Sequence, residues 1–214
     1  MHRPGYTRHD RPRRVPPGSV AYRTLDALDL SIRALLSCLF MNRSRCDIGA
    51  TAVRGFPPLS DARARVLVLG SMPGVASLRA GQYYGHPRNA FWTIMGSLFG
   101  FAGDAPYAQR VASLLEHRVA VWDVLAACER KGSLDADIVA TSMLPNDFGD
   151  FFARHRAIVR ICCNGAAAHR LYLRQVAPIW QSVLPLDIIR LPSTSPAFAG
   201  MTLAGKFEAW KQVR

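Results

Sequence analysis

The chain is poor in acidic side chains: 15 Asp plus Glu stand against 27 Lys plus Arg in 214 residues, a formal charge of +12. That imbalance points to a polyanionic partner, nucleic acid or an anionic membrane surface, and charge alone does not choose between them. Paired cysteines are also missing. Cys38, Cys46, Cys128, Cys162 and Cys163 are odd in number and have no spacing suited to zinc or an iron–sulfur cluster, so a metal centre is not expected. A reduced, intracellular setting is the simpler expectation. No apolar run is long and clean enough to cross a bilayer. The most hydrophobic N-terminal stretch, Leu25 to Met41, contains Asp26, Asp29 and Arg33, and Arg33 also interrupts what would be the apolar centre of a signal peptide. The protein is therefore expected to be soluble, without a membrane partner.

Charge is unevenly spread. Residues 1–45 hold nine of the arginines against three aspartates. Residues 1–20 are rich in Arg, Pro and Gly with almost no large aliphatics, a composition that cannot offset the entropy of ordering. The basic extension over 1–45 is expected to be either disordered or spurious, with an amphipathic helix over roughly 24–41 as one reading and Met41 as the true start as the other. Residues 55–214 suffice for one domain of ordinary size.

Regular patterning begins at Arg65. Val66-Leu67-Val68-Leu69 is an uninterrupted apolar run ending in Gly70, as expected of a strand buried on both faces. Phe91, Ile94, Met95 and Leu98 recur at helical spacing before Phe99-Gly100, a helix stop. Further helices are expected over Pro106–Glu116, Ala166–Val176 and Leu203–Val213, and further strands over Val119–Trp122, Ile158–Cys163 and Leu186–Leu191. The alternation predicts an α/β fold, a three-layer αβα sandwich with a mainly parallel central sheet. Ligands of such sheets bind beyond the carboxyl ends of the strands. Three loops leave those ends and should converge there: Gly70–Asn89, Asn164-Gly165 and Leu191–Ala197.

Gly70-Ser71-Met72-Pro73-Gly74 looks like a phosphate-cradling turn but lacks the Lys and hydroxyl of a P-loop and the three-glycine dinucleotide spacing. Nucleoside triphosphates are thus disfavoured, and a plain strand-exit turn is the alternative. Tyr83-Tyr84-Gly85-His86-Pro87-Arg88-Asn89 gathers aromatic faces, cationic or polar groups and an amide ahead of a helix, a set suited to holding a planar base. The same tyrosines can serve as core packing, and Asn89 as a helix cap. Pro192-Ser193-Thr194-Ser195-Pro196 alternates stiff prolines with hydroxyls that can bond phosphate oxygens. Asn164-Gly165 reads either as a helix-entry turn or as a base-reading amide.

Together GSMPG, GQYYGHPRNAFW and LPSTSPA resemble the motifs of the uracil-DNA glycosylase superfamily, most closely its hypoxanthine (deoxyinosine) DNA glycosylase branch, over roughly Gly55 to Arg214. The middle motif is also similar to that of the mismatch-specific uracil/thymine glycosylases. The resemblance implies an αβα enzyme for base-excision repair that flips a deaminated base out of DNA and hydrolyses its N-glycosidic bond without metal or cofactor. It further implies a monomer working on DNA in the cytoplasm, at the nucleoid. Where the mismatch-specific relatives carry a water-positioning Asn, this chain has Met72, which cannot orient water. The branch places its catalytic Asn at the position of Asn89. By the same resemblance Gly70, Ser71, Met72, Pro73, Tyr83, Tyr84 and Asn164 line the base pocket, with Tyr84 stacking on the base and Asn164 reading its edge. Gly74, His86, Arg88, Pro192, Ser193, Thr194, Ser195 and Pro196 are the implied DNA contacts. Two alternatives stay open: a uracil or mismatch-specific enzyme, and a nucleic-acid-binding relative without hydrolysis.

Overall fold

A computed structural model describes residues 52–181 and 184–214. The extension over 1–45 and the helix considered within it lie outside the described residues. The chain runs β1 (Val53–Arg54), β2 (Val66–Gly70), α1 (Val75–Ala80), α2 (Phe91–Phe99), α3 (Tyr107–Glu116), β3 (Val119–Asp123) and β4 (Leu125–Cys128). It continues through β5 (Leu144–Pro145), α4 (Phe148–Arg154), β6 (Arg160–Asn164), α5 (Ala166–Gln175), α6 (Ala177–Trp180), β7 (Asp187–Leu191) and α7 (Leu203–Trp210).

The principal sheet has the order β3-β2-β6-β7 and every pairing in it is parallel. All five residues of β2 and of β3 are buried, which explains their unbroken apolar sequences: parallel strands covered on both faces have no solvated side for polar residues. Around the sheet, α2 packs with α3 and α7, and α3 lies on β3, whereas α5 lies on β6, β7 and β2 and meets α6. These groups form the outer layers of the expected αβα arrangement. Phe91 of α2 meets Trp210 of α7 edge-on at 5.8 Å between ring centroids, and both are wholly buried.

The differences are local. A second, antiparallel sheet of order β1-β4-β5 is added beside the parallel one, built largely from the segment after Asp123 that shows no strong periodicity. The Gly70–Asn89 connection contains a helix, α1, closed by Gly81 in the left-handed region at φ 62°. The last helix ends at Trp210 and tightens into a 3₁₀ turn over Lys211–Val213, a common way to satisfy final carbonyls. Among the described residues no helix is long and apolar enough to cross a membrane.

Candidate active site

Parallel register fixes where the strands end. Gly70 is opposite Asp123, and Asn164 is opposite Leu191, so four chain exits share one edge of the sheet. Around this edge lies a cavity of about 320 Å³. Its walls bring together Gly70 to Gly74, Tyr83, Tyr84, His86, Asn89, Asn164 and Ser193 to Pro196. Arg88 and Pro192 are not among the lining residues. Arg88 is exposed beside the loop, and the Pro192 carbonyl accepts a hydrogen bond from Trp210 Nε1 at 2.9 Å. A second cavity of about 770 Å³ shares Tyr84, His86 and Asn89 with the first.

The first motif is held by close contacts. A side chain at Gly70 would place its Cβ 2.2 Å from Asp123 Oδ1, so any other residue there would force the Asp123 carboxyl to move. Ser71 Oγ donates to Asp135 Oδ1 at 2.5 Å, and the Pro73 carbonyl accepts from Arg130 Nη2 at 2.5 Å. Val75 N–H donates to Ser133 Oγ at 2.9 Å. Met72 is 6% exposed and belongs to the core while touching the cavity.

In the middle motif the two tyrosines have different surroundings. Tyr83 is buried, and its hydroxyl donates toward the carbonyls of Phe56 and Pro57, both at 3.2 Å. Tyr84 has φ 54° and stacks on Phe91 with centroids 3.9 Å apart, while its buried hydroxyl faces the Asn164 amide. Burial, and then the Asp123 charge, push the Tyr84 phenol well above the ordinary tyrosine range, with the Asn164 amide opposing them.

Asn89 stands just before Ala90, the N-cap of α2, and its Oδ1 accepts from the first helical N–H, that of Phe91, at 3.0 Å. Its own N–H donates to the His86 carbonyl at 2.8 Å, and the next N–H, of Ala90, donates to the Thr194 carbonyl at 3.0 Å. These bonds hold the carboxamide in place at the cavity. They leave Oδ1 a second lone pair and the amide N–H groups for other partners.

The third loop is tied to β6 by a reciprocal pair. Asn164 Nδ2 donates to Thr194 Oγ1 and Thr194 N–H donates to Asn164 Oδ1, each at 2.9 Å. The Asn164 amide thus reaches the site with both ends already engaged. Gly165, at φ 95°, admits the loop closely: a Cβ there would lie 2.9 Å from Ser193 Cβ.

Sequence reasoning passed over Asp123, Leu134 and Asp135, which also line the cavity. Asp123 is 4% exposed and its Oδ2 has no partner. Burial pushes its carboxyl up to about 8; Asp135 adds to this and Arg130 opposes it. The available signal was an acid closing the apolar run Val119–Trp122, a costly placement unless the group has a use. Asp135 comes from the β4–β5 connection, which no periodicity places near the site. No group of three or more metal-ligating side chains is found among the described residues.

The chain is 42% identical over 86 residues to a protein of Methanosarcina barkeri named hypoxanthine DNA glycosylase, a match covering 40% of this chain and 54% of the relative. It is 37% identical over 116 residues to a protein of the same name from Methanosarcina acetivorans, covering 54% of this chain and 72% of the relative. A candidate uracil DNA glycosylase from Methanosarcina acetivorans, solved by solution NMR, superposes with a TM-score of 0.62 at 30% identity, over 76% of this chain and 98% of that one. Residues 57–214 match the family described as the uracil DNA glycosylase superfamily. Since that match takes in both central strands and all three converging loops, the chain belongs to the uracil DNA glycosylase superfamily.

Proposed function

We propose that the protein is a monofunctional DNA glycosylase that excises a deaminated base, with hypoxanthine as the preferred substrate and uracil next. The observation that carries this reading is the presence of Asn89, held by its bond to the Phe91 N–H, in the same cavity as the three strand-exit loops. The cavity volume of about 320 Å³ suits a single extruded base. Met72 and the Tyr84 ring give it an apolar wall.

Asn89 is a weak base, so its contribution is positional. The free lone pair of Oδ1 accepts a hydrogen bond from a water molecule and keeps it near the sugar C1′. As the C1′–N bond breaks, its electron pair leaves with the base, whose developing negative charge is met by donors in the cavity. The water oxygen bonds to C1′, and the proton it releases passes through solvent to the departing base, leaving a sugar hydroxyl and a neutral base. Ser193, Ser195 and the flanking prolines form a stiff polar rim for the phosphodiester backbone, braced from beneath by the buried Thr194 through its bonds to Asn164. Arg88, exposed outside the cavity, supplies a cation for a phosphate in this reading. The reading has the protein act as a monomer on DNA in the cytoplasm, at the nucleoid, with no bound cofactor. An excess of cationic side chains fits that substrate.

A binding-only relative is the second reading, favoured by the thioether of Met72 in place of a water-positioning amide. Duplexes carrying one hypoxanthine or one uracil, incubated with the protein and then treated with alkali, separate the two. Strand scission at hypoxanthine is expected; scission at neither base overturns the enzyme reading.

A further inference from the structure

We propose that Leu134 packs on a face of the extruded base and holds it in the cavity, so that the connection between β4 and β5 serves as a jaw of the base pocket. The contact comes from outside the three loops that leave the parallel strands. It deepens the glycosylase reading above and rests on it.

The connection is fastened to the glycine-rich turn at three points. Arg130 Nη2 donates to the Pro73 carbonyl, Val75 N–H donates to Ser133 Oγ, and Ser71 Oγ donates to Asp135 Oδ1. The last two bonds fall on the residues either side of Leu134. Ser133 also lies against the turn itself, since a Cβ built on Gly74 would be 3.5 Å from its Oγ and 3.6 Å from its Cβ. The Leu134 carbonyl is held as well, accepting from Asp137 N–H at 3.1 Å where a 3₁₀ turn over Asp135–Asp137 begins. The backbone at Leu134 is therefore fixed from both sides. Its side chain is nevertheless 54% exposed, more than any other large apolar side chain among the described residues.

A single exposed leucine on a protein surface calls for no explanation. Leu134 differs in two respects: it lines the cavity, and the bonds around it leave its backbone no freedom to fold the side chain away. Because the segment is ordered before any ligand arrives, a contact made there costs little further conformational entropy. The rest of the lining says what fits. Met72 and Tyr84 give the same cavity other apolar surface, and Asn89 and Asn164 give it amides. A nucleobase combines apolar faces with a polar edge, whereas the sugar–phosphate chain offers no comparable apolar face. Leu134 therefore takes a base face rather than the backbone. Covering that face removes apolar area from water only once the base has left the stack, so the contact favours the extruded state and offsets part of the cost of unstacking.

The experiment compares the natural protein with Leu134→Ala and Leu134→Met in two assays: kcat/KM for hypoxanthine release from a duplex, and affinity for a duplex with an abasic site in place of the lesion. Leu134→Ala should lose about tenfold or more in kcat/KM, with Tm unchanged because the side chain is exposed. Leu134→Met keeps an apolar side chain of similar reach and should stay within about threefold of the natural protein. Affinity for the abasic duplex, which has no base to hold, should be the same in all three. Full activity in Leu134→Ala overturns the inference, as does a loss of affinity for the abasic duplex equal to its loss of activity; both leave the glycosylase reading standing. A natural protein that releases neither hypoxanthine nor uracil overturns both.

Discussion

The two sides of the cavity are built on opposite principles. On the β6 and β7 side, Asn164 and Thr194 satisfy each other's polar groups through two hydrogen bonds of 2.9 Å. On the β2 and β3 side, Asp123 Oδ2 is buried with no partner. Buried polar groups are normally paired because leaving one unpaired costs roughly 1–3 kcal/mol. The satisfied side is therefore scaffold, fixing the Ser/Thr/Pro loop against the sheet. The unsatisfied side has interactions in reserve for a ligand.

This contrast gives the two sides opposite responses to substitution. Asn164→Ala should be the most damaging to stability, because it strands the Thr194 N–H and hydroxyl at a position 1% exposed. The expected loss is about 1–3 kcal/mol, read as a drop of several degrees in Tm. An unchanged Tm would show that the brace is not structural.

Asp123→Asn should act the other way. The folded-state carboxyl lies near 8, above its unfolded value of 3.8, so between those values the folded protein holds a proton that the unfolded chain has lost. Stability therefore falls as pH rises from about 4 to about 8. Asp123→Asn removes that penalty, and its Tm should exceed that of the natural protein at pH 8, with the gap closing toward pH 4. A gap that is constant with pH would mean the carboxyl titrates normally.

The smallest effect is expected at the rim, where Ser71→Ala removes the bond to Asp135 between partly solvated groups. A change of about 0.5–1 kcal/mol in denaturant unfolding is expected. A loss as large as that of Asn164→Ala would place Ser71 with the scaffold.

How much of this was legible in the sequence depends on how local the cause is. Val66–Leu69 and Val119–Trp122 announce buried parallel strands because their burial on both faces is written in consecutive residues. Strand ends then predict where the loops converge, and Asn89 is found by its place before the helix whose first N–H it bonds. Asp123 escapes because its burial comes from distant groups: Tyr84, Gly70 and the Asn146 amide that bonds its carbonyl. Asn164 and Asp123 differ in the same non-local way. Both are polar residues closing apolar strands, and only the tertiary bond to Thr194 distinguishes the engaged group from the free one. Helix α1 was hidden within a stretch punctuated by glycines, its end set by the left-handed turn at Gly81.

Asn89 stands between the two sides, as acceptor for the first N–H of α2 and as the proposed holder of water. Serine can take that bond but lacks the carboxamide. Asn89→Ser therefore separates the two roles in one measurement, the single-turnover rate of hypoxanthine release at saturating protein. A fall of about 100-fold or more with Tm unchanged is expected if the carboxamide positions the water. Release at the rate of the natural protein would contradict that role and leave Asn89 only its bond at the helix start.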